Sequence, residues 1–404
     1  VKKISTRHAV TSMLLTGGMV LTGTLAGGTA FASPSASLPA AAPTISIHSF
    51  SRNFSSMSQL RALTAKGKGL VGAILPDTVS SARYTEFDAP YLTKAFQTAG
   101  LKASQFIVSN AQGSDTTELT DAQSDIAKGA SVLIMDPLDS GVGVSIETYA
   151  KAHGVAVIDY DRLTLGGSRQ YYVSFNNVQV GKLIGRGLVA CTIAWHVAKP
   201  DVIVMRGDPT DNNATLFAQG YNGVMAPYFK SGKWVEAATP AGTWDPPTAL
   251  TEFQQALTAN PSANSALIPN DENGAPIISY LQQTEKVKPK TFPVTGQDAT
   301  LTGLQNILSG YQCGTAYKPI YQEAQAAAAL AVYLRAGEKP PKALVNGTTA
   351  DTTANSQVAS VLLTPEWVTT KNMASTVIKD NFVPANTLCA GTYAAACKTY
   401  GISS

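Results

Sequence analysis

An α/β fold of two doubly wound parallel-sheet lobes is predicted by three features of this sequence. Short β-rich runs alternate with longer helical patterns along most of the chain, the order that places helices on both faces of parallel sheets. The alternating part is about 335 residues long, too much for one typical core and enough for two. Polar and charged residues gather where strands give way to helices, the edge at which open α/β sheets bind ligands.

The chain opens with Lys2, Lys3 and Arg7, continues uncharged from Ala9 to Gly28, and reaches Ala30-Phe31-Ala32-Ser33. This is the layout of a secretory signal peptide over residues 1–32. Thr and Gly dilute the apolar stretch, and its small-residue end favours cleavage over a membrane anchor. The first Cys in the chain is Cys191, so a lipid anchor at the cleavage point is not expected. The mature chain should then work in a periplasm or at the cell exterior. Residues 33–68 are rich in Ser, Ala, Pro and Thr and show no sustained period, which predicts a flexible tether.

From Gly69 onward the strand runs are Leu70 to Leu75, Gln105 to Ser109, Val132 to Met135, Val155 to Ile158, Tyr171 to Phe175, Val202 to Met205, Trp234 to Ala238, Ser265 to Ile268 and Phe292 to Thr295. Helix starts are marked by capping residues: Asn176-Asn177 before Val180, Asp271-Glu272-Asn273 before Ala275, and Asp298 before Leu301. Cys389 and Cys397 flank a short Gly/Ala-rich stretch and are expected to form a local disulfide in a tail over 386–404. Cys191 and Cys313 stay unassigned, since free buried thiols are common.

Composition excludes several classes. Net charge is +3 with 14% charged residues, and no Lys/Arg cluster is interleaved with aromatics, so no nucleic-acid partner is expected. Gly67-Lys68-Gly69-Leu70-Val71-Gly72 matches Gly-x-Gly-x-x-Gly but precedes a strand instead of following one, so no nucleotide cofactor is inferred. His8, His48, His153 and His196 lack nearby Cys ligands, and no metal site is expected. There is no Gly-x-Ser-x-Gly elbow and no activated Cys. Asp159 and Asp161 could serve a glycosidase, but a second carboxylate across a cleft is not identifiable, and no catalytic residue is assigned.

What remains is a set of junction residues. The run Val155-Ala156-Val157-Ile158 stops at Asp159-Tyr160-Asp161-Arg162, and Arg83-Tyr84, Asp211-Asn212-Asn213, Trp244-Asp245, Asn270-Asp271, Gln297-Asp298 and Lys318 fall at other junctions. Taken singly, such residues are commonly caps or turn formers, and Trp244 and Tyr84 could be ordinary core or rim aromatics. Together they match a sugar: carboxylates accept from hydroxyls, Arg and Lys donate, Asn does both, and an aromatic face covers the ring's C–H patch.

Tyr160-Asp161-Arg162, Asp208-Pro209-Thr210-Asp211-Asn212-Asn213-Ala214, Gly296-Gln297-Asp298-Ala299 and Tyr317-Lys318-Pro319-Ile320 occur in this order and spacing. The set resembles the periplasmic xylose-binding proteins, of the ribose/galactose-type solute-binding proteins that feed sugar ABC transporters, from about Gly69 to Phe382. The resemblance implies a type I periplasmic binding protein fold with a three-crossover hinge near Asn177, Thr315 and Ala350. The amino-terminal lobe would then be 69–177 plus 316–350, and the carboxy-terminal lobe 178–315 plus 351–385. It implies ligand contacts from Arg83, Tyr84, Asp161 and Arg162 on one lobe, from Asp211, Asn213, Trp244, Asn270 and Asp298 on the other, and from Lys318 beside a crossover. It further implies no enzyme activity, no cofactor, a monosaccharide ligand with D-xylose foremost, ABC transporter permease subunits as partners, and a monomer. A sensor component for a chemoreceptor or kinase would use the same pocket, and a secreted sugar-active hydrolase is the enzyme alternative. One departure bears on selectivity: the family tends to carry Trp beside the first Arg, where this chain has Tyr84.

Overall fold

Strands that read as nearly unbroken apolar runs are covered on both faces. The computed structural model describes residues 45–285 and 287–402. The signal peptide expected over 1–32 and the first part of the tether lie outside the described residues. Thirteen strands follow in chain order among the described residues: β1 (Leu70–Leu75), β2 (Phe106–Asn110), β3 (Ala130–Met135), β4 (Ala156–Tyr160), β5 (Tyr171–Phe175), β6 (Asp201–Val204), β7 (Val235–Ala238), β8 (Ser265–Leu267), β9 (Thr295–Gln297), β10 (Gly314–Tyr317), β11 (Gly347–Asp351), β12 (Ser356–Leu363) and β13 (Glu366–Val368).

They build two lobes. The first holds a seven-stranded sheet in the order β11-β12-β5-β4-β3-β1-β2, parallel except for the β11–β12 hairpin at its edge. The second holds two three-stranded sheets, β7-β6-β8 and β13-β10-β9, linked by a bridge between Ala266 and Val294. In it the helices Asn177–Ala194 and Asn212–Lys230 lie backbone to backbone, because a Cβ on Gly181 would stand 2.0 Å from the Phe217 carbonyl and one on Gly220 2.3 Å from that of Val178.

The chain passes between lobes at Asn176–Asn177, at Lys318–Pro319 and between β12 and β13. The last of these corrects the sequence reading, which put a crossover near Ala350 and assigned the stretch after Asp351 to the second lobe. Ala350 lies inside β11, which turns back as a hairpin, and β12 then pairs in parallel with β5. A hairpin return shows no strand–helix alternation, so its sequence gave no sign of the extra strand.

The tether also needs correcting. Residues 45–68 are folded from Ile45: Ile45, Phe50, Phe54, Met57, Leu60 and Leu63 are buried in the main core. They cover the helix Ile320–Arg335, whose Ala-rich run is buried all round and so needs packing on more than its sheet face. The Gln325 amide, buried in that helix, donates to the Ser51 carbonyl at 3.0 Å. Each buried apolar side chain of the strap contributes about 1.5–3 kcal/mol. The segment runs through short 3₁₀ turns, which have neither the 3.6 nor the 2.0 period, and it therefore reads as structureless.

Both cysteine pairs are bonded. Cys389–Cys397 closes the local loop as expected, and the tail carries Leu388, Cys397 and Ile402 into the core. Cys191, left unassigned from sequence, is joined to Cys313 within the second lobe. Helix caps are partly shifted: Asn176 and Asn270 cap their helices, but Thr300, not Asp298, accepts from Gly303 N at the start of Leu301–Ser309.

One buried acid in the first lobe makes stability depend on pH. Glu118, in the helix Asp115–Ala127, is 0% exposed; one of its oxygens accepts from Leu138 N at 3.1 Å and the other has no partner. Burial raises its carboxyl to about 8, outweighing the Leu138 hydrogen bond and the distant Arg162 charge. The folded chain therefore binds more protons than the unfolded chain between the ordinary value of 4.5 and about 8, so this contribution is full below that window and lost as pH rises through it. Glu118→Gln keeps the acceptor and removes the titration. Urea unfolding should show the variant more stable than the parent by about 4–5 kcal/mol at pH 8.5 and by under about 1 kcal/mol at pH 5.

Candidate functional site

Strand β4 carries Asp159 and Tyr160 as its last residues, and Asp161 follows directly with φ 56°; Asp298, after β9, has φ 86°. Left-handed backbone costs a non-glycine residue about 1 kcal/mol or more, and Asp tolerates it better than most. The turn at Asp161 breaks the strand's alternation. Asp159 consequently accepts from Thr164 N at 2.7 Å in a buried cluster with Glu147 and Arg169, while Asp161 turns into the cleft. The pair considered as glycosidase acid and base is thus separated.

All ten residues expected at the site line one cavity between the lobes: Arg83, Tyr84, Asp161 and Arg162 on one side, Asp211, Asn213, Trp244, Asn270 and Asp298 on the other, and Lys318 at the crossover. Ser80, Ser81, Phe217 and Gln297 complete the wall. The serines sit in the loop after β1, where small polar residues read as turn formers, and Phe217 lies mid-helix, where it reads as core.

The two arginines are held differently. Arg83 precedes a π turn, Tyr84–Asp88, that brings Asp88 back under it. It donates twice to Asp88 at 2.8 Å, once to Glu323 at 2.5 Å, and pairs with Asp161 at 2.9 Å. The Tyr160 hydroxyl closes on Asp88 from below. Arg162 has no such lock. Its nearest carboxylates, Asp136, Asp211 and Asp77, stand 3.7, 3.8 and 3.9 Å away, and it donates at 3.3 Å to Ser80 Oγ and to the Tyr84 hydroxyl. A guanidinium with long, loose contacts can turn its donors to a guest.

Asp161 accepts from the Tyr84 hydroxyl at 3.0 Å. Burial alone would raise its carboxyl, but Arg83, then Lys318 and Arg162, overcome that and hold it at about 2. Lys318 is paired with Asp298 at 3.0 Å; burial would lower its ammonium, yet Asp298 and Asp161 push it above the ordinary value. Burial raises Asp211, against Arg162. The lining therefore offers three acids and three bases.

On the second lobe Trp244 donates from Nε1 to Asp211 at 3.0 Å and meets Phe217 edge-on at 6.4 Å. Its ring lies on Gly207, where a Cβ would stand 2.1 Å from the indole, so only glycine leaves room for it. Asn213 is held by protein partners: it donates to the Asp161 carbonyl at 2.8 Å and accepts from the Asn177 amide at 2.7 Å. Asn270 caps its helix and donates across the cleft to the Ser80 carbonyl at 3.3 Å.

Residues 72–339 match the family model for the periplasmic binding protein domain, and the chain belongs to that family, the substrate-binding proteins of sugar ABC transporters. It is a binding protein and not an enzyme. Among its relatives is the D-xylose-binding periplasmic protein of Escherichia coli, 33% identical over 305 residues that cover 73% of this chain and 86% of the relative. The multiple sugar-binding periplasmic receptor of Rhizobium radiobacter is 30% identical over 342 residues, 80% of this chain and 93% of that one. A solved carbohydrate transporter solute-binding protein of Chloroflexus aurantiacus, in complex with D-glucose, superposes with TM-score 0.70 at 27% identity, covering 79% of this chain and 98% of that one. Both lobes thus follow the type I periplasmic sugar-binding fold.

Proposed function

We propose that the cavity captures a neutral monosaccharide, D-xylose foremost, by closing the lobes around it, and that the closed form delivers it to the permease subunits of an ABC transporter from the outer side of the membrane. The observation that carries this reading is the balance of the lining, three carboxylates against three cations, packed around half-buried Trp244. A net charge on the guest would have to be desolvated without a countercharge, which costs several kcal/mol. Uncharged hydroxyls, each donor and acceptor, suit both signs of partner. Xylose is favoured by the identity to the xylose-binding relatives. D-glucose is the second reading: the Chloroflexus protein is named as its complex, and Tyr84 leaves more room than the Trp carried by the family.

The test is the melting temperature of the mature chain against xylose, glucose, ribose, arabinose, galactose and glucuronate. At a thousand times its dissociation constant a ligand adds about 4 kcal/mol to the native state, a shift of several degrees. Xylose should give the largest shift and glucuronate none. A larger shift with glucose would move the specificity, and no shift with any neutral sugar would reject the reading.

A further inference from the structure

We infer that Glu272 is the latch of the closed cleft, a positioning residue that sets sugar affinity without facing the sugar. The inference rests on the proposed capture by closure and adds the residue that holds the closed form together. Glu272 opens the helix Asp271–Gln283 of the second lobe. Its Oε1 accepts from Ser81 Oγ and from Ala82 N, both at 3.0 Å, across the cleft in the loop after β1. Its other oxygen accepts from Asn270 Nδ2 at 3.1 Å, and that same amide reaches the Ser80 carbonyl at 3.3 Å. Three consecutive residues of one lobe, Ser80 to Ala82, are thus gripped by the first turn of a helix in the other.

The geometry separates this contact from the others that bridge the lobes. Arg162 near Asp211, Asn213 on the Asp161 carbonyl and Ser81 against Asp298 all involve the cavity lining, so changing them alters ligand contacts and closure together. Glu272 is absent from that lining and faces a neighbouring recess with Ala82, Phe87 and Phe382. The Ala82 N–H needs an acceptor because it sits at the entry to the π turn, where no helical carbonyl precedes it. The helix dipole favours a carboxylate at the place Glu272 occupies.

A sugar enters the open form, in which the lobes are apart and the latch is unmade. Removing the latch should therefore leave the association rate alone and raise the dissociation rate. Stopped-flow tryptophan fluorescence with the sugar that gives the largest melting shift should show Glu272→Ala releasing it about tenfold faster, the factor that leaving the Ser81 and Ala82 donors without their acceptor accounts for. Glu272→Gln keeps Oε1 as acceptor and should stay within about threefold of the parent. The ligand-free melting temperature of both variants should match the parent. An unchanged dissociation rate in the Ala variant, a Gln variant as weak as Ala, or a ligand-free melting temperature several degrees lower would each overturn the assignment. A parent chain that binds no sugar defeats the ligand reading. That outcome overturns the latch as well, whereas a parent that binds sugar with an Ala variant releasing it at the parent's rate overturns the latch alone.

Discussion

Asp161→Ala is expected to abolish sugar binding, with a loss of at least about a hundredfold in affinity by isothermal titration, while the chain still folds. The carboxylate faces Arg83 at 2.9 Å and takes the Tyr84 hydroxyl at 3.0 Å. Its removal leaves Arg162 and Lys318 with one countercharge fewer inside a buried site. Truncating one partner of a buried, hydrogen-bonded charge pair in a binding site costs about 2–5 kcal/mol of affinity, and about 3 kcal/mol already exceeds a hundredfold. The fold survives because Arg83 keeps Asp88 and Glu323, and Asn213 and Tyr172 bond the Asp161 carbonyl, which the substitution leaves in place. The same carboxyl also sets an acid limit. Held at about 2 against an ordinary 3.8, it contributes stability that is full above about 4 and lost as pH falls through about 2. Affinity unchanged in the Ala variant would remove Asp161 from the pocket.

What the sequence disclosed and what it withheld have a common physical origin. Asp161, Arg162, Asp211, Trp244 and Asp298 were legible because a doubly wound sheet brings the ends of separate strands to one crevice, so junction residues of the right chemistry meet whatever their spacing. Arg83 and Lys318 stood in the same junction set, and the family resemblance gave each its expected place in the pocket. The groups that aim them were not legible. Asp88 reaches Arg83 only through a π turn, and Glu323 lies on a helix that reads as plain alanine core. Gly207 makes room for the Trp244 ring from a loop distant in sequence. Supporting contacts of this kind depend on three-dimensional approach and leave no period or motif. The strap over 45–68 and the β11–β12 hairpin escaped for a related reason: each derives its order from the surface it covers, and neither has a pattern of its own.

Removing the Cys191–Cys313 bond, by replacing both residues with Ala, is expected to lower unfolding stability by about 5 kcal/mol, from the loop-closure entropy of a 122-residue separation. Cys191 lies on the first helix to enter the second lobe and Cys313 on the run into its last strand before the chain leaves, so the bond ties the lobe's entry to its exit. Most of that lobe is inside the loop, and the unfolded chain without the bond gains correspondingly more conformations. Removing Cys389–Cys397, with a separation of 8, should cost about half as much by the same relation. Guanidinium unfolding of the three proteins checks both values, and the first variant should also show a steeper denaturant dependence as its unfolded state expands. Neither pair lines the cavity, so sugar affinity at a temperature well below melting should be unchanged. Equal losses from the two removals would mean that native contacts near the sulfurs, and not chain entropy, set the stabilisation.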